Sequence, residues 1–368
     1  MGNLQETWQA LREGRSGIQR IQAFPELPSY PLACVGCSPA NVQDLIQQAT
    51  SDALQDAKLS HPLPTCGVVI GSSRSHQAQW EQLAAQKVWK ELSGRNSLLS
   101  ANWLATLPHT PATTVAQHIQ TQAPALAPMA ACATGLWCLT LGLELLETQQ
   151  CDRVLVGAVE APITPLTLAG FQQMGALAQT GSFPFDRQRE GLVLGEGAAV
   201  LVLESKEMAV QRSARIYGRV LGVGMTADGY HVSAPAPTSD SAKAAIRQCL
   251  ERSNLTVQDI DYIHAHGTAT PLNDRNEAYL IQQLFPKGVP VSSTKGATGH
   301  TLGASGALGA SFCLMALYHQ MLPPCIGLQE PEFDLNLIRT VLPSSVKNAL
   351  CLSFGFGGQN GVVAFAKN

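Results

Sequence analysis

Short apolar runs that resemble buried strands alternate with longer segments of helical periodicity, and this alternation limits the fold more than any other feature. Such runs are typical of strands that helices cover on both faces of a sheet. The strand candidates are residues 67–71, 154–157, 198–203, 216–223, 260–265, 289–293 and 350–353. The helix candidates are residues 77–92, 136–146, 165–172, 241–252, 276–285 and 303–320. The pattern predicts an α/β fold with mixed sheets.

The sequence also carries a weak internal repeat. An apolar run, a glycine-rich turn and a second apolar run follow one another in residues 191–202 and again in residues 350–366. Both segments are interpreted as closing hairpins of a duplicated unit. A chain of 368 residues with 45% hydrophobic content can bury two such units. We therefore predict an N-terminal half, residues 1–205, and a C-terminal half, residues 206–368.

Charge and targeting features exclude several classes of protein. The net charge is −3, and no cluster of lysine and arginine suggests nucleic-acid binding. Residues 1–20 contain no apolar export signal. Residues 302–318 are uncharged but fall short of the ~20 apolar residues that span a bilayer, so we predict a buried helix. Ten cysteines without an export signal favour free thiols in a reducing, cytoplasmic setting.

Cys132 stands out among these cysteines because it directly precedes the apolar helical run 136–146. Its small neighbours Ala131, Ala133 and Gly135 allow a sharp turn that exposes a nucleophile. Backbone N–H groups and the helix dipole favour a thiolate at this position, so we expect a lowered thiol pKa. The other buried candidates, in helical or strand runs, are predicted to be core residues: Cys138, Cys313 and Cys351.

Two histidines in glycine-rich settings are the expected partners of this thiol. His266 is followed by Gly267 and Thr268, where a predicted strand ends and catalytic groups are common in open α/β sheets. His264 shares its face of the strand and is given a supporting or core position. His300 lies in Lys-Gly-Ala-Thr-Gly-His-Thr-Leu-Gly. One cysteine with two such histidines indicates acyl-transfer chemistry.

Two further patterns are weaker. Cys34 and Cys37 have the spacing of half a zinc site, but no second pair stands near them, so no metal is predicted. The glycines between residues 299 and 309 lack the Lys-Ser/Thr ending of a phosphate-binding loop. Close packing of a helix is their expected role.

Five motifs occur in the order found in β-ketoacyl-[acyl carrier protein] synthases, and the chain resembles the elongating, type II (FabF-like) group of that family. They are residues 131–135 around the cysteine, Phe185-Asp186 through residues 195–197, residues 266–271, Lys295 with Gly299-His300, and residues 353–360. The resemblance implies a thiolase fold, in which two βαβαβαββ halves form a five-layer αβαβα sandwich, usually within a homodimer.

The resemblance also implies a mechanism. Cys132 would accept an acyl group from acyl carrier protein, and malonyl carrier protein would then lose CO₂ and condense with it. His266 and His300 would stabilise the enolate oxygen. The N–H groups of Cys132 and Phe356 would form the oxyanion hole, and the Phe356 ring would gate the acyl pocket. No cofactor is expected beyond the phosphopantetheine that the carrier protein brings.

Further residues are carried over by the same resemblance. Lys295 would order the His300 region with Glu277 as its counter-charge, although a purely structural ion pair is an equal alternative. Asp274 would shape the loop before it. The substrate-binding residues would be Thr268 and Thr270 for the phosphopantetheine arm, with Phe171 and Phe354 for the acyl chain.

The sequence departs from the family at its start. It begins essentially at the tryptophan-containing helix, so the first core strand of the N-terminal half is expected to be missing. Three hypotheses therefore stand. The chain is an active condensing enzyme, a non-catalytic partner resembling a chain-length factor that pairs with a related synthase, or an acyl-carrier decarboxylase or acyltransferase.

Overall fold

The computed structural model describes residues 2–85 and 103–368. Its helices are α1 (Leu4–Arg12), α2 (Val42–Asp56), α3 (Gln77–Ala85), α4 (Thr110–Ile119), α5 (Thr134–Glu147), α6 (Pro165–Gln173), α7 (Lys206–Gln211), α8 (Asp240–Arg252), α9 (Pro271–Leu284), α10 (Lys295–Thr298) and α11 (Ser305–His319). Its strands are β1 (Gln19–Ile21), β2 (Tyr30–Leu32), β3 (Cys66–Gly71), β4 (Ala125–Leu126), β5 (Arg153–Glu160), β6 (Gly197–Glu204), β7 (Arg219–Ala227), β8 (Tyr262–His264), β9 (Val291–Ser292), β10 (Met321–Leu322), β11 (Leu342–Pro343), β12 (Asn348–Gly355) and β13 (Gln359–Ala366).

Two sheets organise the molecule, one in each half. The first has the order β4-β3-β5-β6, with β6 antiparallel to β5 and the other pairs parallel. The second has the order β9-β8-β12-β13-β7, with β13 antiparallel to both of its neighbours. The two sheets follow the same plan when they are compared strand by strand. β4 corresponds to β9, β3 to β8, β5 to β12 and β6 to β13. The duplicated α/β architecture predicted from the sequence is confirmed.

The helices complete five layers. α5 packs on β3 and β5, α11 packs on β12, and the two helices contact each other between the sheets. α2 and α4 cover the outer face of the first sheet, whereas α8 covers that of the second. The central core, which both halves share, contains Leu136, Val156, Phe312 and Phe365. The predicted division after residue 205 lies between β6 and α7, and it stays a prediction because this core joins both halves.

The two central helices approach each other closely where they begin. A Cβ atom on Gly135 would lie 2.3 Å from the backbone nitrogen of Ala307, and one on Gly306 would lie 2.8 Å from that of Leu136. Neither backbone can retreat, so only glycine allows this contact. It brings the residues that precede α5 next to those that precede α11. Helix packing, as predicted, is the role of Gly306.

Some of the sequence-based predictions differ from the structure. Residues 191–194 do not form a hairpin with β6, which pairs instead with β5 across 36 intervening residues, 161–196. The second predicted hairpin is correct and consists of β12 and β13. α9 begins at Pro271 rather than at residue 276, because proline suits the first position of a helix. Helix α3 confirms the start of the predicted helix 77–92, and residues 86–92 lie outside the described residues.

The uncharged stretch near residue 302 is a buried helix, as predicted. Leu302–His319 is long and apolar enough to cross a membrane by composition, yet 78% of it is buried within the fold. The core helix of a folded protein can meet the same criterion of length and composition, and α11 is such a helix.

Candidate active site

Cys132 lies in a tight turn between β4 and α5. Ala131 adopts a left-handed backbone conformation with φ of +47°, which is uncommon for a residue with a side chain. The Thr134 hydroxyl holds the turn, since it accepts from the Ala130 N–H at 2.9 Å and donates to the Ala131 carbonyl at 2.7 Å. Ala133 is the N-cap of α5. The sharp turn predicted from the small residues is present.

Two imidazoles meet this sulfur. The Cys132 Sγ atom and one ring nitrogen each of His266 and His300 lie within 4.8 Å of one another. The two ring centroids are 5.3 Å apart, and the planes are nearly perpendicular at 81°. His266 follows β8, and the His300 N–H donates to the Val193 carbonyl at 2.6 Å. All three side chains are buried, with Cys132 retaining 7% exposure.

The sulfur is not the ready thiolate that the sequence suggested. Burial raises the pKa of the Cys132 thiol to about 11, although the Lys295 charge and the Phe356 N–H both act in the opposite direction. Desolvation disfavours the charged form of a buried acid and here outweighs the nearby positive charge. The prediction of a lowered pKa was therefore wrong for the unliganded site. A buried thiol with this pKa is protonated at neutral pH.

The imidazoles are held neutral. Burial lowers the pKa of His266 and of His300 well below 6.5, and the Lys295 charge lowers both further. His300 Nδ1 lies 2.9 Å from the Ser305 hydroxyl, which orients the ring. His266 Nδ1 lies 3.5 Å from the Lys295 ammonium, a donor, so its Nε2 is the ring nitrogen that carries hydrogen. A neutral ring of this kind can donate to a developing oxyanion.

Lys295 and Glu277 act on opposite sides of the His266 backbone rather than as a direct ion pair. The Lys295 ammonium donates to the His266 carbonyl. Glu277 accepts from the N–H groups of His266 at 2.6 Å and Gly267 at 2.7 Å. Glu277 is still the carboxylate whose charge acts most on Lys295. That Lys295 orders the His300 region stays a prediction. Burial lowers the Lys295 pKa, while the charge of Glu277 counters that shift.

The remaining histidine on β8, His264, turns into the core. Its Nε2 lies 3.1 Å from the Thr294 hydroxyl, and its ring packs 6.1 Å from that of Phe312. Cys138, Cys313 and Cys351 are buried as core residues, as predicted.

Apolar residues form one wall beside the sulfur. Cys132 and Phe171 belong to a single cluster, with Phe356 packed against it. The Phe171 and Phe356 rings have centroids 6.1 Å apart. The Phe356 N–H is directed at the Cys132 sulfur. Phe354 lies on the other side, with its ring centroid 5.9 Å from that of His266.

The loop that leads into α9 borders the histidines. The hydroxyls of Thr268 and Thr270 are 2.8 Å apart. Asp274 accepts from the N–H groups of Phe185 at 2.8 Å and Ala269 at 3.2 Å, so it ties this loop to the N-terminal half. Burial raises the pKa of the Asp274 carboxyl to about 6.

Two residues near the site were not predicted from the sequence. Ser305, five positions after His300, is visible only as a polar residue at a helix start. Glu160 ends the apolar strand β5 and is fully buried. It accepts from the Ser72 hydroxyl at 3.1 Å and the Arg74 N–H at 3.2 Å, and burial raises its pKa to about 7. A carboxylate directly after a buried strand is the signal that could have found it.

The site also contains side chains that could hold a metal ion. The donor atoms of Cys132, His266 and His300 are of the kind that zinc prefers. The nearby Lys295 ammonium opposes a second positive charge there. Cys34 and Cys37 both carry free thiols, half-buried and exposed respectively. That the protein uses no metal stays a prediction.

Comparisons with known proteins agree with this arrangement. Family models for the beta-ketoacyl synthase N-terminal and C-terminal domains match residues 39–209 and 217–329. The "3-oxoacyl-[acyl-carrier-protein] synthase 2" of Staphylococcus aureus (strain COL) is 31% identical, covering 100% of this chain and 95% of its own.

Solved structures give the same result. One is a type II PKS acyl-carrier protein in complex with its ketosynthase bound to the hexaketide, with a TM-score of 0.90 and 26% identity. Another is the ishigamide ketosynthase/chain length factor, with a TM-score of 0.89 and 27% identity. Each match covers 100% of this chain and 96% of the other. The chain therefore belongs to the β-ketoacyl synthase family.

Proposed function

We propose that this protein is a β-ketoacyl-[acyl carrier protein] synthase, which joins an acyl group to a malonyl-derived two-carbon unit in the synthesis of a fatty acid or polyketide. The observation that supports it best is the convergence of the Cys132 sulfur with ring nitrogens of His266 and His300. A nucleophile and two neutral hydrogen-bond donors are what the two half-reactions need.

In the first half-reaction, the Cys132 sulfur attacks the thioester carbon of an acyl carrier protein. The new bond joins this carbon to Cys132, the bond to the phosphopantetheine sulfur breaks, and the thiol proton ends on the departing carrier thiol. The N–H groups of Cys132 and Phe356 stabilise the negative oxygen of the tetrahedral intermediate. Because burial raises the resting thiol pKa to about 11, the proton must leave the sulfur during attack rather than before it.

In the second half-reaction, malonyl carrier protein loses CO₂ and leaves an enolate. His266 and His300 donate hydrogen bonds to the enolate oxygen, for which His300 must accept from the Ser305 hydroxyl through Nδ1. The enolate carbon attacks the acyl-Cys132 carbonyl, and the carbon–sulfur bond breaks. The Cys132 thiolate regains a proton, and the product is a β-ketoacyl thioester on the carrier.

Other residues position the substrates. Thr268 and Thr270 hydrogen-bond the phosphopantetheine arm at the entrance. Phe171, Phe354 and Phe356 contact the acyl chain, and the Phe356 ring gates the pocket. Lys295 and Glu277 fix the His266 backbone, while Asp274 holds the adjoining loop. The protein brings no cofactor of its own, since the phosphopantetheine belongs to the carrier.

The partner is an acyl carrier protein, as in the ketosynthase complex to which this chain is similar. The working form is a homodimer or a heterodimer with a related synthase, and relatives with a chain length factor support the second form. All ten cysteines are free, which supports a cytoplasmic location.

The test is a condensation assay with purified protein, acyl carrier protein loaded with an acyl group, and malonyl carrier protein. We expect a β-ketoacyl product from the wild type and at least a 10³-fold loss in Cys132→Ala. Cys37→Ala is the matched control, because this exposed thiol lies outside the site. Undiminished product from Cys132→Ala would reject the proposal.

The same assay separates the two alternatives. A non-catalytic partner would give no product alone but would raise that of an added synthase, in Cys132→Ala as in the wild type. A decarboxylase or acyltransferase would release CO₂ or move acyl groups without forming the carbon–carbon bond.

A further inference from the structure

A positive charge lies on the apolar wall beside Cys132. The guanidinium carbon of Arg74 is 5.7 Å from the centre of the Phe171 ring, which is within the range at which an aromatic face attracts a cation. Phe171 is buried in the same apolar cluster as Cys132, and the Phe356 ring packs against it. Arg74 therefore borders the aromatic surface that the acyl chain is proposed to contact.

The turn that carries Arg74 lies between the two parts of the catalytic site. It follows Gly71, the last residue of β3, where a Cβ atom would lie 2.6 Å from the Pro128 carbonyl oxygen and would also meet the Thr134 side chain. A Cβ atom on Gly303, three residues after His300, would lie 2.9 Å from the Ser73 nitrogen. The turn is thus packed against the segments that hold the nucleophile and one of the histidines.

Hydrogen bonds fix the backbone of this turn. The buried Glu160 carboxyl accepts from the Ser72 hydroxyl at 3.1 Å, from the Ser73 N–H and from the Arg74 N–H at 3.2 Å. The Ser75 N–H donates to the Ser72 hydroxyl at 2.7 Å, and Ser75 has a left-handed backbone with φ of +47°. The direction in which the Arg74 side chain leaves the backbone is therefore set, although the side chain remains partly exposed to solvent.

The guanidinium has unused hydrogen-bonding capacity. Within residues 2–85 and 103–368, Arg74 forms no ion pair, and its one side-chain hydrogen bond, to Gln77, is long at 3.5 Å. Glu81 accepts instead from the Gln77 amide at 2.8 Å and the Leu166 N–H at 3.0 Å. Since a guanidinium presents five N–H donors in a planar fork, Arg74 can still bind an acceptor with two oxygens.

The charge of Arg74 also reaches the reacting sulfur. Burial raises the pKa of the Cys132 thiol, and Arg74 is among the groups that counter this rise. An acyl group attached to Cys132 would therefore extend within the field of this cation. A carboxylate in the acyl group would be attracted to it, whereas a methyl end would cover the cation without replacing its water.

We propose that Arg74 selects acyl groups that end in a carboxylate, the half-thioesters of dicarboxylic acids, over methyl-ended chains of the same length. The carboxylate accepts two parallel hydrogen bonds from the guanidinium, while the methylene chain packs on Phe171 and Phe356. The inference rests on the acylation of Cys132 proposed above and extends it to a class of substrate.

The test measures acylation of Cys132 by pairs of acyl carrier proteins that differ only in the end of the chain, carboxylate or methyl, with chains of about four to twelve carbons. At the matching length, we expect kcat/KM to favour the carboxylate by about tenfold or more, and this ratio to fall by about tenfold in Arg74→Met. Arg74→Lys, which keeps the charge without the fork, should give an intermediate ratio. Added salt should lower the wild-type ratio, because Arg74 is partly exposed.

Arg215→Met is the matched control, since this exposed arginine pairs with Asp56 and lies outside the site. Its ratio should equal that of the wild type. Equal ratios in wild type and Arg74→Met, or a wild-type preference for methyl-ended chains, overturn this inference and leave the proposed function standing. Failure of every acyl group to reach Cys132 overturns both.

Discussion

The outer edges of the two sheets differ, although the sheets share one plan. In the second sheet, β7 covers β13, and every residue of β13 except the first is buried. In the first sheet, the described residues leave β6 uncovered, and only Ala199 of its eight residues is buried. The active-site residues depend on neither edge. They lie where central strands end and where α5 and α11 cross, so chemistry and edge stability belong to separate parts of the molecule.

The largest effect is expected at the crossing of the central helices, which the two halves share. Gly135→Ala places a Cβ atom 2.3 Å from the Ala307 nitrogen, so we expect a loss of about 3 kcal/mol or more in unfolding free energy, together with loss of activity. Urea unfolding measures it. Gly170→Ala is the same substitution on α6 with open space around the new atom, and it should be neutral or slightly stabilising. Equal effects would refute the close crossing.

A second effect concerns Glu160 at the end of β5. Burial raises its folded pKa to about 7, so the unfolded carboxyl ionises first as pH rises. This group therefore makes the unfolding free energy fall between about pH 4.5 and pH 7. Glu160→Gln should remove that fall, and its stability relative to wild type should increase over this range by at most about 3 kcal/mol. A pH-independent difference in urea unfolding would contradict the assignment.

A third prediction compares the edges directly. Val363→Ala in β13 removes buried methyl groups and should cost about 2 kcal/mol of unfolding free energy. Val202→Ala in half-buried β6 should cost less than about 1 kcal/mol. Chemical denaturation of both variants measures the contrast. Equal costs would show that the two edges are equally packed.

The smallest effect probes the active site alone. Ser305→Ala removes the hydroxyl that orients His300, and we expect kcat for condensation to fall by about tenfold, with acylation of Cys132 unchanged. Ser311→Ala is the matched control, because its hydroxyl bonds only the Ala307 carbonyl within α11. Equal kcat values in both variants would remove Ser305 from the enolate step.

Much of the fold and site could be predicted because the signals are local. The apolar strands, the turn at Cys132 and the position of His266 at a strand end depend on neighbouring residues in sequence. Some predictions that depended on distant segments were wrong. The thiol pKa is set by burial from both halves, and β6 pairs with a strand 36 residues away. The contact of the Lys295 ammonium with the His266 carbonyl was not visible in the sequence.

The most direct test of the central claim is mass spectrometry of the protein after exposure to acyl carrier protein, followed by addition of malonyl carrier protein. We predict one acyl group on the peptide that contains Cys132, and its loss to a β-ketoacyl product when the malonyl carrier arrives. No adduct on Cys132, or an adduct that malonyl carrier protein leaves unchanged, would contradict condensation at this site.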